Sequence, residues 1–396
     1  MSLSRRSFFR TAGAAGAGLL SSDFLSARGR EAFAAREAVG TMDSKVAAQA
    51  AAQARRAIKI SSNENAYGPG AAALDAARSV LSPVSGRYPT NVPDLAAAIA
   101  KHFGVEPHNV LLGTGSGEVI EAAVAAFTSP TRPLVSALPT WESPARTARR
   151  IKAAVKDIRV DADLKLDLAA TVAAAKGAGL VFFCNPNNPT GTVHSKAAVT
   201  KFVEGVLAAS PQTTILLDEA YYDFVVDPSY ATGIPLAMKY PRVIVTRTFS
   251  KVHGMAGLRV GYAIAHPDTL KAIEPHKTGD LNVLSAAAAA ASIQDTAHIA
   301  KQRDQNRATL EATVRTFKEA GCRVSDSQAN FIFADVKRPA KEFREACERM
   351  GGVLIGRDFP PLTNWARISI GTADEMRVAN DVFKKVLAAP QTTASR

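Results

Sequence analysis

Residues 180–191 read LVFFCNPNNPTG, an apolar run followed by a loop. Its five successive apolar residues, Leu180–Cys184, are typical of a strand buried on both faces, and seven turn-forming residues follow directly. Two similar apolar runs occur at Ile215–Leu217 and Val243–Thr246. Because helical segments separate these strands, the sequence predicts an α/β fold in which helices sandwich a mostly parallel central sheet.

The domain organisation follows from a change in this pattern along the chain. Strand and helix alternate regularly over about residues 93–279, which predicts one large domain. After about residue 280 two long helical stretches precede further short strands, so a smaller α+β domain is expected over 280–396. We expect residues 35–92 to form an N-terminal arm and part of that smaller domain.

Composition excludes several classes of protein. Of 396 residues, 47% are hydrophobic and 21% are charged, which argues against disordered and collagen-like chains. The formal net charge is +12, but the basic residues are spread out and no aromatic–basic strip accompanies them, so no nucleic-acid partner is expected. Three widely spaced cysteines without a CxxC indicate neither a disulfide framework nor a metal site. No run approaches the ~20 apolar residues that span a bilayer, so no stable membrane insertion is expected.

Residues 1–34 differ from the rest of the chain. Arg5 and Arg6 precede two aromatic residues, an apolar Ala/Gly stretch follows, and residues 32–34 (AFA) offer a small-x-small cleavage site. This pattern resembles a twin-arginine signal peptide, with a disordered basic arm as the alternative. We therefore expect the protein to be periplasmic or secreted by the twin-arginine route.

The loops after the strands are the candidate site, because ligands of such sheets bind where the strands end. The turn at 113–117, GTGSG, joins a strand to a helix, and its backbone amides and the helix N-terminus favour a phosphate. A purely structural turn is the alternative. The loop at 257–262 places Arg259 near the same edge of the sheet.

Asp218 and Lys251 follow two of the buried strands. A buried carboxylate needs a partner, so Asp218 either holds a magnesium ion or faces a protonated heterocyclic nitrogen. The magnesium interpretation needs a Gly-Lys-Ser/Thr loop, which the sequence lacks. Lys251 either forms a salt bridge or is a nucleophilic amine with a lowered pKa.

Six segments together resemble the class I/II (fold-type-I) pyridoxal-phosphate-dependent aminotransferases, most closely the histidinol-phosphate aminotransferase group. In order and spacing they cover about residues 58–388. They are 62–69 (SNENAYGP), 113–117 (GTGSG), 185–192 (NPNNPTGT), 218–221 (DEAY), 248–262 (TFSKVHGMAGLRVGY) and 366–372 (ARISIGT). The resemblance implies pyridoxal 5'-phosphate as cofactor and a homodimer.

The resemblance also implies roles for single residues. Lys251 would form a Schiff base with the cofactor and move the substrate proton, and Asp218 would keep the ring nitrogen protonated. Tyr221 completes the implied catalytic set, and Tyr67 would reach the phosphate of the neighbouring subunit. The implied cofactor-binding residues are Tyr67, Gly115, Ser116, Gly117, Trp141, Asn188, Asp218, Tyr221, Thr248, Ser250, Lys251 and Arg259.

Substrate contacts follow from the same resemblance. Arg367 would bind the α-carboxylate, and the other implied contacts are Asn65 and Asn330. Arg357 lies in the stretch 356–361 (GRDFPP), which differs from the family's usual loop at that place, and it is a further candidate for anion binding. Asp335 stands where the histidinol-phosphate group carries an arginine for the substrate phosphate, which favours an unphosphorylated donor. The sequence thus predicts a transaminase (class EC 2.6.1) that transfers an amino group to a 2-oxo acid. The expected donor is histidinol-phosphate-like, aromatic or basic.

Two other functions remain open. An enzyme of the same fold that decarboxylates, oxidises or eliminates from an amino acid shares every motif above. A non-catalytic protein that binds through its basic charge is the more distant alternative.

Overall fold

The computed structural model of the chain describes residues 57–82, 86 and 95–390. The predicted export signal at 1–34 lies outside these residues, as do 35–56, 83–85, 87–94 and 391–396. All elements given below belong to one compact unit, Ile58–Arg396.

A seven-stranded sheet forms the centre of this unit. Its strands are β2 (Val110–Gly113), β3 (Leu134–Leu138), β4 (Val155–Arg159), β5 (Leu180–Cys184), β6 (Thr214–Asp218), β7 (Val243–Thr248) and β8 (Gly261–Ala265), in the spatial order β2-β8-β7-β6-β5-β3-β4. Only β8 runs antiparallel to its neighbours. The predicted α/β fold with a mostly parallel central sheet is confirmed.

Both faces of the sheet are buried, because helices cover both faces. Successive side chains of β5 enter different hydrophobic clusters: Val181 and Phe183 face one, Leu180 and Phe182 the other. Within the described residues up to 292, the α-helices are α1 (Ala71–Ser79), α2 (Leu95–Phe103), α3 (Ser116–Phe127), α4 (Ser143–Arg150), α5 (Leu168–Ala174), α6 (Lys196–Ala209), α7 (Ile234–Lys239), α8 (Pro267–Ile273) and α9 (Val283–Ser292).

Two smaller sheets accompany the large one. β1 (Ile58–Ile60) pairs in parallel with β10 (Val353–Ile355), and β9 (Phe331–Asp335) pairs antiparallel with β11 (Trp365–Ser369). A separate hydrophobic cluster includes Phe317, Phe343 and Phe383, which lie on α10 (Thr296–Glu319), α11 (Ala340–Gly351) and α12 (Ala373–Ala388). Strand β1 thus links the segment before residue 92 to the C-terminal part of the chain. The domain boundaries given above stay a prediction.

The described part of the chain contains no helix that is both long and apolar enough to cross a membrane. Its three cysteines are free and buried.

Candidate active site

One cavity of about 680 Å³ opens where β5, β6 and β7 end. It collects side chains from segments that are far apart in sequence. Of the predicted site residues, those that line it are Ser116, Gly117, Trp141, Asn188, Asp218, Tyr221, Thr248, Ser250, Lys251, Arg259, Arg357 and Arg367. The cavity therefore lies at the strand ends, where the sequence predicts the site.

Lys251 is the half-buried amine of this cavity. It follows β7, and its Nζ donates hydrogen bonds to two backbone carbonyls, those of Ser62 (3.3 Å) and Asn63 (3.0 Å). It forms no ion pair with a carboxylate of the described residues, although the charges of Glu64 and Asp218 favour its protonated form. Burial, with a further contribution from the charge of Arg367, lowers the pKa of Lys251 to about 8. The amine is therefore partly neutral near neutral pH, as a nucleophile must be.

Asp218 ends β6 and is 4% exposed. Its carboxylate accepts hydrogen bonds from the Thr246 hydroxyl (3.2 Å) and from the Cys184 thiol (3.7 Å). Within the described residues it has no lysine, arginine or histidine as an ion-pair partner. Burial raises the pKa of Asp218 to about 6. A buried carboxylate in this state gains from a cationic partner placed in the cavity.

A buried ion pair next to Asp218 stabilises the end of β6. Glu219 accepts two hydrogen bonds from the Arg247 guanidinium (2.7 and 3.0 Å), and both side chains are only 4% exposed. The Arg247 guanidinium also stacks on the ring of Tyr222, 3.5 Å from its centroid. This buried pair, in which both nitrogens donate to Glu219 Oε2, fixes the strand end from which Asp218 projects into the cavity.

An anion-binding corner lies at the N-terminus of α3. Ser116 and Gly117 are the first residues of this helix, so their backbone N–H groups have no partner within it. Gly115 has a positive φ of 85°, and a Cβ there would collide with the Arg259 guanidinium. Arg259 donates to Ser250 Oγ (3.3 Å) and to a backbone carbonyl. Glycine at 115 thus lets a cation approach the helix N-terminus closely.

Arg367 lies on β11, which places it on the opposite wall of the cavity. It is 8% exposed and donates to Asn188 Oδ1 (2.8 Å) and to the Ser61 carbonyl (2.6 Å). Its Nε is buried without a hydrogen-bond partner, and burial lowers the pKa of Arg367 to about 10. A planar guanidinium that lines the cavity suits a carboxylate.

Tyr221 and Trp141 complete the walls. The Tyr221 hydroxyl accepts a hydrogen bond from Asn63 Nδ2 (3.0 Å), and burial raises its pKa. Trp141 lies between Gly117 and Phe182, whose ring centroid is 6.4 Å from that of Trp141. An aromatic face therefore flanks the corner at α3.

Besides Gly115, three predicted contacts lie outside the cavity lining. Asn65 donates to the Val252 carbonyl (2.9 Å) and to Gln302 (3.0 Å), and Asn330 donates to the carbonyls of Asn63 (3.0 Å) and Glu64 (3.2 Å). These amides hold the loop that follows β1 rather than face the cavity. Tyr67 is 41% exposed, and its hydroxyl accepts a hydrogen bond from the Ala373 N–H (3.1 Å).

The expectation that Asp335 disfavours a phosphorylated donor is not supported by its position. This residue ends β9, its carboxylate accepts from the Lys337 N–H (2.9 Å), and it does not line the cavity. It therefore gives no reason to exclude a phosphorylated donor. The sequence does not show how β9 and β11 pair, so it could not show whether Asp335 lies on the side of the cavity.

Among the cavity residues that the sequence did not mark as site residues, three make contacts with predicted ones. Asn63 is 1% exposed and contacts Tyr221, Lys251, Asn330 and Ser369 through its side chain and backbone. Cys184 touches Asp218, and Glu142 forms an ion pair with Arg357. The motif at 62–69 marked the segment of Asn63, but no pattern singled out Cys184 or Glu142.

Comparisons with known proteins agree with this geometry. Residues 55–383 match the family model "Aminotransferase class I and II". The chain is 34% identical over 335 residues to the histidinol-phosphate aminotransferase of Bacillus subtilis strain 168, which covers 84% of this chain and 92% of that protein. Its fold is similar to that of the histidinol-phosphate aminotransferase of Sinorhizobium meliloti in complex with pyridoxal-5'-phosphate, with a TM-score of 0.76 and 26% identity over 83% of this chain and 90% of that one.

The chain belongs to the class I and II aminotransferases. It is a pyridoxal-phosphate-dependent transaminase, so the predicted cofactor and reaction class are confirmed. The likeness to the histidinol-phosphate group is also confirmed, whereas the export signal and the homodimer stay predictions.

The residues of the cavity fit this cofactor. Asp218 is a buried carboxylate without a cationic partner in the described part of the chain, which suits a protonated pyridine nitrogen. Gly115 leaves room for a cation at a helix N-terminus, which suits a phosphate.

Proposed function

We propose that this chain transfers the amino group of an amino acid to a 2-oxo acid, with Lys251 as the amine that binds the cofactor aldehyde. The observation that carries the proposal is the meeting of Lys251, Asp218 and the N-terminus of α3 in one cavity. Bound pyridoxal phosphate supplies an aldehyde for amines and a protonated ring that draws electrons from the substrate Cα.

In this proposal, different residues of the cavity bind different parts of the cofactor. Asp218 keeps a proton on the ring nitrogen, and Asn188 and Tyr221 hydrogen-bond the ring hydroxyl. Trp141 packs on the ring. The phosphate is held by the backbone N–H groups of Ser116 and Gly117 together with Thr248, Ser250 and Arg259.

Lys251 and Arg367 act on the substrate. Arg367 binds the α-carboxylate through its planar guanidinium, which fixes the orientation of the substrate Cα. With its Nζ unbound, Lys251 would take the proton from the substrate Cα, which Arg367 would hold in place. Its lowered pKa suits this task, because the neutral amine must accept a proton near neutral pH.

The donor is proposed to be histidinol-phosphate-like, aromatic or basic. The likeness to histidinol-phosphate aminotransferases supports the first of these. Asp335 lies away from the cavity, so a phosphate on the donor meets no carboxylate from this position.

A half-reaction tests transamination against the other activities of this fold. Purified protein loaded with pyridoxal phosphate is mixed with single amino donors, and no 2-oxo acid is added. We expect one equivalent of aminated cofactor and one of the donor's oxo product per site, because the amino group stays on the cofactor. Release of carbon dioxide, consumption of oxygen, or turnover without cofactor amination would favour decarboxylation, oxidation or elimination instead.

Two further proposals concern the whole protein. We propose that residues 1–34 direct export by the twin-arginine route, on the support of Arg5, Arg6 and the apolar stretch after them. We also propose a homodimer in which exposed Tyr67 reaches the phosphate of the neighbouring subunit, on the support of the resemblance. Cell fractionation with both arginines replaced by lysine tests the first, and light scattering of the purified chain tests the second.

A further inference from the structure

A chain of three hydrogen bonds in the cavity wall has no role in the function proposed above. It begins at the backbone N–H of Asn63, which donates to Ser369 Oγ (2.8 Å). The Ser369 hydroxyl donates to Asn63 Oδ1 (2.7 Å), and Asn63 Nδ2 donates to the Tyr221 hydroxyl (3.0 Å). Asn63 and Ser369 are 1% and 2% exposed, so water does not compete for these bonds. The chain ends at Tyr221, which lines the cavity.

The direction of every bond in this chain follows from its first donor. A backbone N–H can only donate, so the Ser369 oxygen accepts and its own proton goes to Asn63 Oδ1. With the Asn63 amide reversed, this proton would have no acceptor among the described residues. The amide nitrogen of Asn63 therefore faces Tyr221, and the Tyr221 oxygen is the acceptor of that bond.

The Tyr221 hydroxyl keeps its own proton for another partner. The Tyr221 ring packs edge-on against Phe331, with centroids 5.1 Å apart and an angle of 81° between the planes, so the hydroxyl is held in place. Within the described part of the chain no group accepts the hydroxyl proton. Arg367, whose charge also faces Tyr221, has donors only. The proton is thus left for an acceptor that enters the cavity.

The backbone of Asn63 fixes the starting point of the chain. Its φ of 54° lies in the left-handed region, which asparagine adopts more readily than most residues. Its carbonyl accepts hydrogen bonds from Lys251 Nζ (3.0 Å) and from Asn330 Nδ2 (3.0 Å). Because the peptide is held on both sides, the Asn63 side chain reaches Tyr221 from a fixed position.

We propose that Asn63 and Ser369 are positioning residues that turn the hydroxyl proton of Tyr221 toward the ring oxygen of the bound cofactor. The inference rests on the proposed function, which gives Tyr221 this oxygen as its partner. A donor placed there favours the ionised form of the ring hydroxyl, because only an oxygen without its proton is purely an acceptor. Asn63→Asp would reverse the arrangement, since a carboxylate accepts from both Ser369 and Tyr221.

Binding of pyridoxamine phosphate tests the proposal without turnover. This compound carries the ring oxygen but no aldehyde, so Lys251 forms no covalent bond with it. Its dissociation constant is measured by titration calorimetry on the cofactor-free protein. Asn63→Asp should weaken binding about tenfold or more, because the carboxylate keeps the Tyr221 proton. Asn63→Gly permits the left-handed backbone and removes only the amide, so it should weaken binding about threefold or less.

The same titrations in a Tyr221→Phe background show whether Asn63 acts through the hydroxyl. There Asn63→Asp should weaken binding by less than about threefold, which is the effect of the new charge alone. A merely structural role for Asn63 predicts the same loss in both backgrounds. Ser369→Ala is a second, uncharged variant: it should weaken binding about threefold when Tyr221 is present and have no effect in the Tyr221→Phe background.

Ser136→Ala is the matched control. Ser136 is also a buried serine on a strand, but its hydroxyl has no hydrogen-bond partner among the described residues and it does not line the cavity. Its loss should leave the binding of pyridoxamine phosphate unchanged.

Three outcomes would overturn the proposal: Asn63→Asp binds as tightly as the wild type, Asn63→Gly loses as much affinity as Asn63→Asp, or the losses persist in full in the Tyr221→Phe background. If Asn63→Asp does not fold, Ser369→Ala decides by the last of these criteria. A failure of the proposed function looks different, because the wild-type protein would then yield no aminated cofactor in the half-reaction.

Discussion

Replacing Lys251 with alanine should lower the rate of amino transfer by at least about 10³-fold, because two tasks fall to this one amine. It binds the cofactor aldehyde, and it carries the proton at the substrate Cα. Among the described residues Lys251 is the one lysine that lines the cavity, so no second amine is placed to take over. Single-turnover kinetics with an amino donor measure the loss.

The absorbance of the loaded protein gives an independent measurement. The alanine variant should lose the yellow band of the enzyme-bound cofactor that depends on the lysine, while it still retains pyridoxal phosphate non-covalently. Lys251→Arg keeps a positive charge, but a guanidinium stays protonated, so this variant should be equally inactive. Lys239→Ala is the matched control, since Lys239 is an exposed lysine outside the cavity. Retention of the band and of the rate by Lys251→Ala would disprove the assigned role.

The pKa of Lys251 adds a pH dependence to this result. The pKa is lowered from 10.5 to about 8, so the neutral amine predominates above about pH 8. Uptake of pyridoxal phosphate by the cofactor-free protein should therefore become faster as the pH rises through about 8 and level off above it. An ordinary lysine would give a rate that keeps rising toward pH 10.

The strands of the central sheet were predictable because of where they lie. β5, β6 and β7 are buried on both faces, so their sequences are continuous apolar runs with little ambiguity. Their ends necessarily meet at one edge, which is why Asp218 and Lys251 could be placed together. β4 escaped prediction, since it is a half-exposed edge strand of sequence VKDIR whose charged residues mask its pattern.

Contacts between distant segments could not be predicted from local patterns. Asn63 meets Tyr221 and Ser369, which lie 158 and 306 residues further along the chain. Only the assembled fold brings these three side chains together. Likewise, no periodicity shows that Glu142 faces Arg357, because each lies in an irregular segment between regular elements.

Replacing Asp218 with asparagine should lower the rate of amino transfer by about 10²–10³-fold, since an amide cannot hold the ring nitrogen protonated. The side chains have nearly the same shape, and Thr246 can still donate to the remaining oxygen. The loss should therefore fall on kcat, with the cofactor still bound. Steady-state kinetics and the absorbance of the loaded protein separate the two effects.

The same substitution should have the opposite effect on the stability of the cofactor-free protein. Burial raises the pKa of Asp218 from 3.8 to about 6, so the charged form destabilises the folded chain. Without cofactor, this group should make the wild-type protein lose stability as the pH rises from about 4 to about 6. At pH 7 the asparagine variant should be the more stable, by up to about 3 kcal/mol for a shift of about two pKa units.

Thermal unfolding of both cofactor-free proteins at pH 4 and pH 7 measures this difference. Glu219→Gln is the contrasting control, because it breaks a buried pair with Arg247 and should lower stability. If Asp218 were a structural residue, its asparagine variant would resemble Glu219→Gln and unfold more easily at pH 7. If the asparagine variant is instead more stable and far less active, the Asp218 charge destabilises the cofactor-free fold and is needed for the function of the cofactor.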